Sequence, residues 1–192
     1  VMNESGKAVA TVETKTGVLE CKKQSDYNVT VDMGAPKFEW KDIPLSEPRN
    51  TEHLGIAEGM LMDPVAVSMG NPHMVFFVKD LEFVRLGEAG KKLEHNPLYP
   101  ERANISAAQV ISRDAIKLVV WERGAGLTMA CGTAACATLA AGVKRGIVNR
   151  HATITLPGGD LRVEWDEATN HIFMTGPVAL VFRGEFDKGL VL

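Results

Sequence analysis

The chain has 192 residues, 45% hydrophobic and 23% charged, which is the mixture of a globular protein long enough to bury a core. Twenty-one Lys and Arg stand against 24 Asp and Glu for a net charge of −3, so there is no basic excess to attract nucleic acid, and the composition excludes a disordered chain. No apolar run approaches the length that spans a membrane, no signal-peptide pattern opens the sequence, and three cysteines are too few for a disulfide framework; the expected setting is a reducing one, the cytoplasm.

In chain order, Ala10–Leu19 carries β-branched residues and ends in a Lys-Thr-Gly turn. Asn28–Met33 alternates, with Val29, Val31 and Met33 on one face; both segments read as antiparallel strands. Residues 34–52 hold Pro36, Pro44 and Pro48 among charges and read as a loop and a candidate boundary. Two short strands, Ala66–Met69 and Val75–Val78, flank Gly70-Asn71-Pro72-His73. Asp80–His95 has helical spacing at Leu81, Val84, Ala89 and Leu93, with Asp80 as N-cap. Ile116–Trp121 alternates as a strand. Cys131–Arg145 is rich in Ala and stops at Gly146, which predicts a helix. From Thr153 to Phe186 the pattern returns to strands and turns. Residues 152–161 align with 10–19 through a shared Ala, Thr, Gly and Leu, a weak internal repeat. If the repeat is real, the counterpart of the Cys131 helix begins about a dozen positions before Val1, and the chain enters near the end of the first helix of a duplicated protein.

The segment Trp121–Cys136 (WERGAGLTMACGTAAC) carries the strongest chemical signal. A cysteine at a helix N-terminus meets free N–H groups and the positive end of the helix dipole, which lowers its pKa and suits it as a base or nucleophile. The same N–H groups bind a carboxylate, and Gly132 lets a ligand approach closely. Cys136 lies inside the helix and reads as packing; Cys21 reads as structural. Glu122 and Arg123 are either a surface ion pair or the partners of a substrate ammonium and carboxylate. On a regular strand they point to opposite faces, so both serve one ligand only if the backbone turns there. Asn71 and His73 sit in a turn that can present both side chains, with a satisfied turn histidine as the alternative. Asn104 alone is a weak signal. No metal-ligand spacing, phosphate-binding loop or serine-hydrolase elbow is present.

Taken together these residues resemble the diaminopimelate epimerase family. The matching stretches are TVETKTG (11–17), VTVDMG (29–34), SMGNPH (68–73), ERANI (101–105), ERGAGLTMACGTAAC (122–136), LPGG (156–159) and MTGP (174–177). The resemblance implies an α+β fold of two domains related by a pseudo-twofold, each a curled, mostly antiparallel sheet around a central helix. It implies cofactor-free, metal-free interconversion of LL- and meso-diaminopimelate for lysine and peptidoglycan synthesis. One cysteine thiolate removes the α-proton and a second thiol returns a proton to the other face. Cys131 would be one of that pair. Gly132 and Thr133 would hold the α-carboxylate, Glu122 would orient the ammonium or the cysteine, and His73 would lie near the reacting carbon. Asn71, Asn104 and Arg123 would read the distal amino-acid group.

The family's first-domain cysteine motif is absent from these 192 residues. The chain is therefore expected to hold the end of a first domain (1–35), a second domain (36–176) and a C-terminal strand returning to the first (177–192). On this expectation it is inactive alone and takes a small-molecule substrate, with a homodimer as a further expectation and no nucleic acid or membrane partner. Competing readings are another racemase or isomerase of the same fold, a non-catalytic binding module, or a cysteine hydrolase pairing Cys131 with His73.

Overall fold

The computed structural model describes residues 6–14, 17–25, 27–185 and 189. Strands β1 (Val9–Thr14), β2 (Gly17–Ser25) and β3 (Asn28–Asp32) form an antiparallel meander. The hairpin pairing of Thr14 with Gly17 agrees with the Lys-Thr-Gly turn, whose Lys15 and Thr16 lie outside the described residues. After a loop come β4 (Ala57–Glu58), β5 (Leu61–Met62), β6 (Val65–Ser68) and β7 (Pro72–Val78). Helix α1 (Leu86–Leu93) leads to β8 (Asn104–Ser112), β9 (Ala115–Glu122) and β10 (Gly126–Thr128). Helix α2 (Gly132–Lys144) precedes β11 (His151–Leu156), β12 (Gly159–Trp165) and β13 (Ile172–Pro177).

Eleven strands make one sheet in the order β1-β2-β3-β13-β12-β11-β9-β8-β7-β6, with β10 added on β9. Among the described residues only β11–β9 and β7–β8 pair in parallel. The sheet curls, so that β6, β7 and β8 from one end and β11, β12 and β13 from the other pack on the same helix, α2. This is the α+β architecture expected, an open curled sheet around a central helix. The meander continues that sheet through the pairing of β3 with β13. The sheet path leaves at Pro177; residues 178–185 run exposed without strand pairing, and 186–188 and 190–192 of the expected C-terminal strand lie outside the described residues.

The core has two compartments on opposite faces of β7, β8 and β9. Val75, Ala108, Leu118 and Val120 face α2, while Met74, Phe76, Ile105 and Ala107 face α1 and the loop around Ile43 and Leu54. Burial on both faces is why β7 reads as a continuous apolar run, not an alternating one. The helix expected over Asp80–His95 is two pieces. Asp80 caps only a 3-10 turn, Leu81–Phe83, through the Glu82 N–H at 2.9 Å. Val84 is extended (φ −93, ψ 114), and α1 starts afresh at Leu86. The break lets Leu81 and Val84 join Leu86 and Leu93 in one compartment.

Helix α2 is enclosed because its residues are small. Ala134, Ala135, Ala137, Ala140 and Ala141 are fully buried. Gly146 ends it with φ +67, as its position in the sequence predicts. A Cβ on Gly142 would come within 2.6 Å of Val148 Cγ2. Gly→Ala in a helix interior ordinarily gains about 0.5–1 kcal/mol, but overpacking a tight core loses about 1–3 kcal/mol. The G142A variant is therefore expected to be destabilised, read as a lower urea midpoint with an unchanged m-value.

Candidate active site

Alternation along three neighbouring strands assembles the site. The inward face of β7 carries Val75 and Phe77, of β8 Ala108 and Val110, and of β9 Ile116, Leu118 and Val120. Continued to the strand ends by twos, the same parity turns His73, Asn104 and Glu122 toward α2. Register pairs His73 with Asn104 and Ile105 with Trp121, so the three ends lie side by side. Cys131 arrives at that end as the N-cap of α2 (φ −145, ψ 109).

Cys131 is 8% exposed, and its Sγ lies 3.5 Å from Thr133 Oγ1. Thr133 Oγ1 accepts the Asn71 Nδ2–H at 3.3 Å, which leaves its own hydrogen to point at the sulfur. Because Asn71 uses its nitrogen as that donor, its Oδ1 is the acceptor for His73, at 2.9 Å from Nε2. His73 thus carries its proton on Nε2, and its buried Nδ1 has no partner. Burial lowers the His73 pKa to about 3, helped by the charge of Arg123, so the ring is neutral. The result is a directed line, His73 to Asn71 to Thr133 to Cys131, in which each group donates toward the sulfur.

The cysteine itself corrects the expectation of a lowered pKa. Burial pushes the Cys131 thiol up, and the nearby Glu122 carboxylate pushes the same way. The Thr133 hydroxyl and the Ala134 amide pull it down without overcoming burial. The free amides at the helix start are present as expected, but removal from water dominates. His73 is also placed differently. It is the second residue of β7, fully buried, not a member of the turn before it. It bonds Asn71, so the Cys–His pair that a cysteine hydrolase needs is not formed.

Glu122 ends β9 and accepts the Thr128 hydroxyl at 2.6 Å. The chain turns directly afterward: the Ala125 N–H donates to Glu122 O at 3.0 Å and Gly124 takes φ +76. The strand therefore ends at Glu122, and Arg123 does not continue its alternation. Arg123 is exposed, and its Nη1 donates to Glu101 O at 2.8 Å. Asn104 is buried with both ends of its amide engaged: Nδ2 donates to Pro72 O at 3.1 Å and Oδ1 accepts the Arg123 N–H at 3.0 Å. It joins the two loops that carry Asn71 and Arg123. Gly132 faces Met174 of β13, where a Cβ would come within 3.0 Å of the thioether. Sequence reasoning placed Thr128, Met174 and Gly158 within the matching stretches but gave them no role. The Gly158 N–H donates to Met129 O at 2.7 Å and packs the LPGG loop on the segment entering α2. The glycine pair was the available signal.

A sequence profile described as diaminopimelate epimerase matches residues 65–181. A diaminopimelate epimerase of Rhodospirillum centenum is 49% identical over 191 residues, covering 100% of this chain and 65% of its own length. That of Acidiphilium cryptum is 48% identical over 188 residues, covering 98% of this chain and 68% of its own. The chain therefore spans about two thirds of the length of these curated relatives, and 63% of the Methylorubrum populi one. Among solved structures, a hydroxyproline epimerase from Agrobacterium vitis superposes with a TM-score of 0.63 at 18% identity, over 92% of this chain and 60% of that one. A phenazine biosynthesis protein from Bacillus anthracis gives 0.56 at 17% identity, over 91% and 68%. At such identities the likeness is one of fold.

The buried neutral His73 makes stability depend on pH with a definite sign. Its folded pKa, about 3, lies below the unfolded value of about 6.5. The unfolded state therefore takes up a proton first. The contribution is complete above about pH 6.5 and is lost as pH falls toward 3, at up to about 1.4 kcal/mol per pH unit. Urea unfolding between pH 7 and 4 is expected to show this slope in the wild type, and a correspondingly shallower one in His73→Gln.

Proposed function

The chain belongs to the diaminopimelate epimerase family, and on that premise we propose that it supplies one catalytic half of an enzyme that interconverts LL- and meso-diaminopimelate without a cofactor. The observation that carries the reading is Cys131 at the start of the enclosed helix, with the Thr133 hydroxyl aimed at its sulfur and Glu122 beside it.

In one direction the Cys131 thiolate removes the α-proton. The Cα–H bond breaks, an S–H bond forms, and the electron pair stays on Cα and spreads into the α-carboxylate. A second thiol then protonates the opposite face. The amides at the start of α2, with Gly132 leaving room against Met174, offer donors for the carboxylate where negative charge grows. Thr133 stabilises the thiolate when Cys131 acts as base. The raised thiol pKa suits Cys131 equally to the reverse role, in which it gives a proton up. Arg123 supplies a positive charge at the rim for the distal carboxylate, and Glu122 a negative one for an ammonium. Asn71 and Asn104 shape this recognition by holding the cysteine line and the Arg123 loop.

Inversion needs acid and base on opposite faces, and the other thiols of the chain do not meet that need. Cys136 is fully buried within α2. Cys21 lies on β2 in register with Val31 of β3 and, through it, Met174 of β13, so two strand spacings, roughly 10 Å, separate it from the Met174 that faces Gly132. The second thiol in this reading belongs to a preceding domain. Residues 1–35 then close that domain, 36–176 form the second, and 177–192 return to the first. A small amino-acid substrate and a reducing, cytoplasmic setting accord with three free cysteines.

Two outcomes test the reading. The 192-residue chain is expected to give no LL-to-meso conversion by itself. Joined to a family first domain it is expected to become active, and Cys131→Ser in that joined protein should abolish turnover; conversion that survives Cys131→Ser would sink the mechanism. In the chain itself, iodoacetamide labelling of Cys131, followed by peptide mass spectrometry, should rise with pH to a midpoint above that of an ordinary thiol, about 8.5. Thr133→Val is expected to move that midpoint up and Glu122→Gln to move it down.

A further inference from the structure

Glu94 is a buried carboxylate with no part in the proton transfers. It caps the C-terminus of α1 and is 4% exposed. Its Oε2 accepts the Trp121 indole N–H at 2.8 Å, and its Oε1 accepts the Gly124 backbone N–H at 3.0 Å. Trp121 and Gly124 are the residues immediately before and after Glu122–Arg123. The Glu94 backbone carbonyl also takes the Ala103 N–H at 3.3 Å, next to Asn104. The Arg102 guanidinium lies 3.6 Å from Oε1 as the counter-charge, and Arg102 itself adopts φ +62. A non-glycine residue holds such a conformation only where its surroundings impose it.

The two N–H donors meet different oxygens of the carboxylate, and in an amide one of those positions would be an NH2, itself a donor. A buried charge that served packing alone would be replaced by an apolar side chain at little or no loss. Here it grips both ends of the dipeptide that carries the site's two opposite charges. We propose that Glu94 is a positioning residue: by bracketing Glu122–Arg123 it holds the turn that directs Glu122 at Cys131 and fixes the Arg123 backbone on Asn104. What the bracketed pair binds rests on the epimerase reading; the bracket itself does not.

The test is Glu94→Gln in the 192-residue chain, with two readouts. Gln can satisfy only one donor, so amide exchange by NMR is expected to speed up about tenfold at the Gly124 N–H or the Trp121 indole N–H. Exchange of the Leu139 amide in α2 should change much less, which separates local release from global loss of stability. The pH midpoint of Cys131 labelling should shift down as in Glu122→Gln, and Glu94→Gln added to Glu122→Gln should give no further shift. Trp121→Phe removes a single donor and is expected to give a smaller shift in the same direction, which keeps the test open if Glu94→Gln folds poorly. Unchanged exchange at both N–H groups, or a Cys131 midpoint that stays at the wild-type value while Glu122→Gln moves it, would overturn the proposal. If Glu122→Gln itself leaves Cys131 unmoved, the reading of Glu122 fails, and the exchange rates still decide Glu94.

Discussion

The structure depends on how closely a curled sheet can approach one helix. Helix α2 presents alanine on nearly every side, so strands from both ends of the sheet reach it. Larger side chains there would open the curl and part the strand ends. Close packing delivers His73, Asn104 and Glu122 from three strands to the helix start, where Cys131 stands. The site is therefore a consequence of the core. Its residues are the last inward-facing positions of strands whose earlier inward positions are apolar.

At that point two tendencies compete over the cysteine. The helix terminus and the Thr133 hydroxyl favour the thiolate, while burial and the Glu122 charge favour the thiol. Burial prevails in this chain. A thiol of this kind is shielded from casual alkylation and oxidation, since the thiolate is the reactive form. It is also suited to exchange roles with a partner, because an acid and a base that swap places must not differ greatly in proton affinity. The neutral His73 contributes by orientation: its Nε2–H sets the Asn71 amide, and Asn71 sets the direction of the Thr133 hydroxyl.

The same architecture accompanies proteins of different names. An 18% identical hydroxyproline epimerase and a 17% identical phenazine biosynthesis protein share the fold, while relatives near 50% identity carry the diaminopimelate epimerase name. Selectivity falls to the strand ends and the turns between them. The turn after Glu122 is one of these, since it ends β9 between two residues of opposite charge.

Much of this was legible in the sequence. Helix α2 declared itself through its alanine run, its cysteine start and its glycine stop, and β3, β6 and β9 through alternation or β-branched runs. All of these are local signals within a few turns or a few residues. The motif around Cys131 also pointed to the family. Tertiary structure alone decided that the Asp80–His95 helix breaks at Val84, because two apolar residues gain burial by leaving the helical path. It decided that His73 lies in a buried strand, that Cys131 is governed by burial, and that Asn71 meets Thr133 across 62 positions of chain. Periodicity and helix termini are written in neighbouring residues; removal from water and contact between distant segments arise only when the sheet closes on its helix.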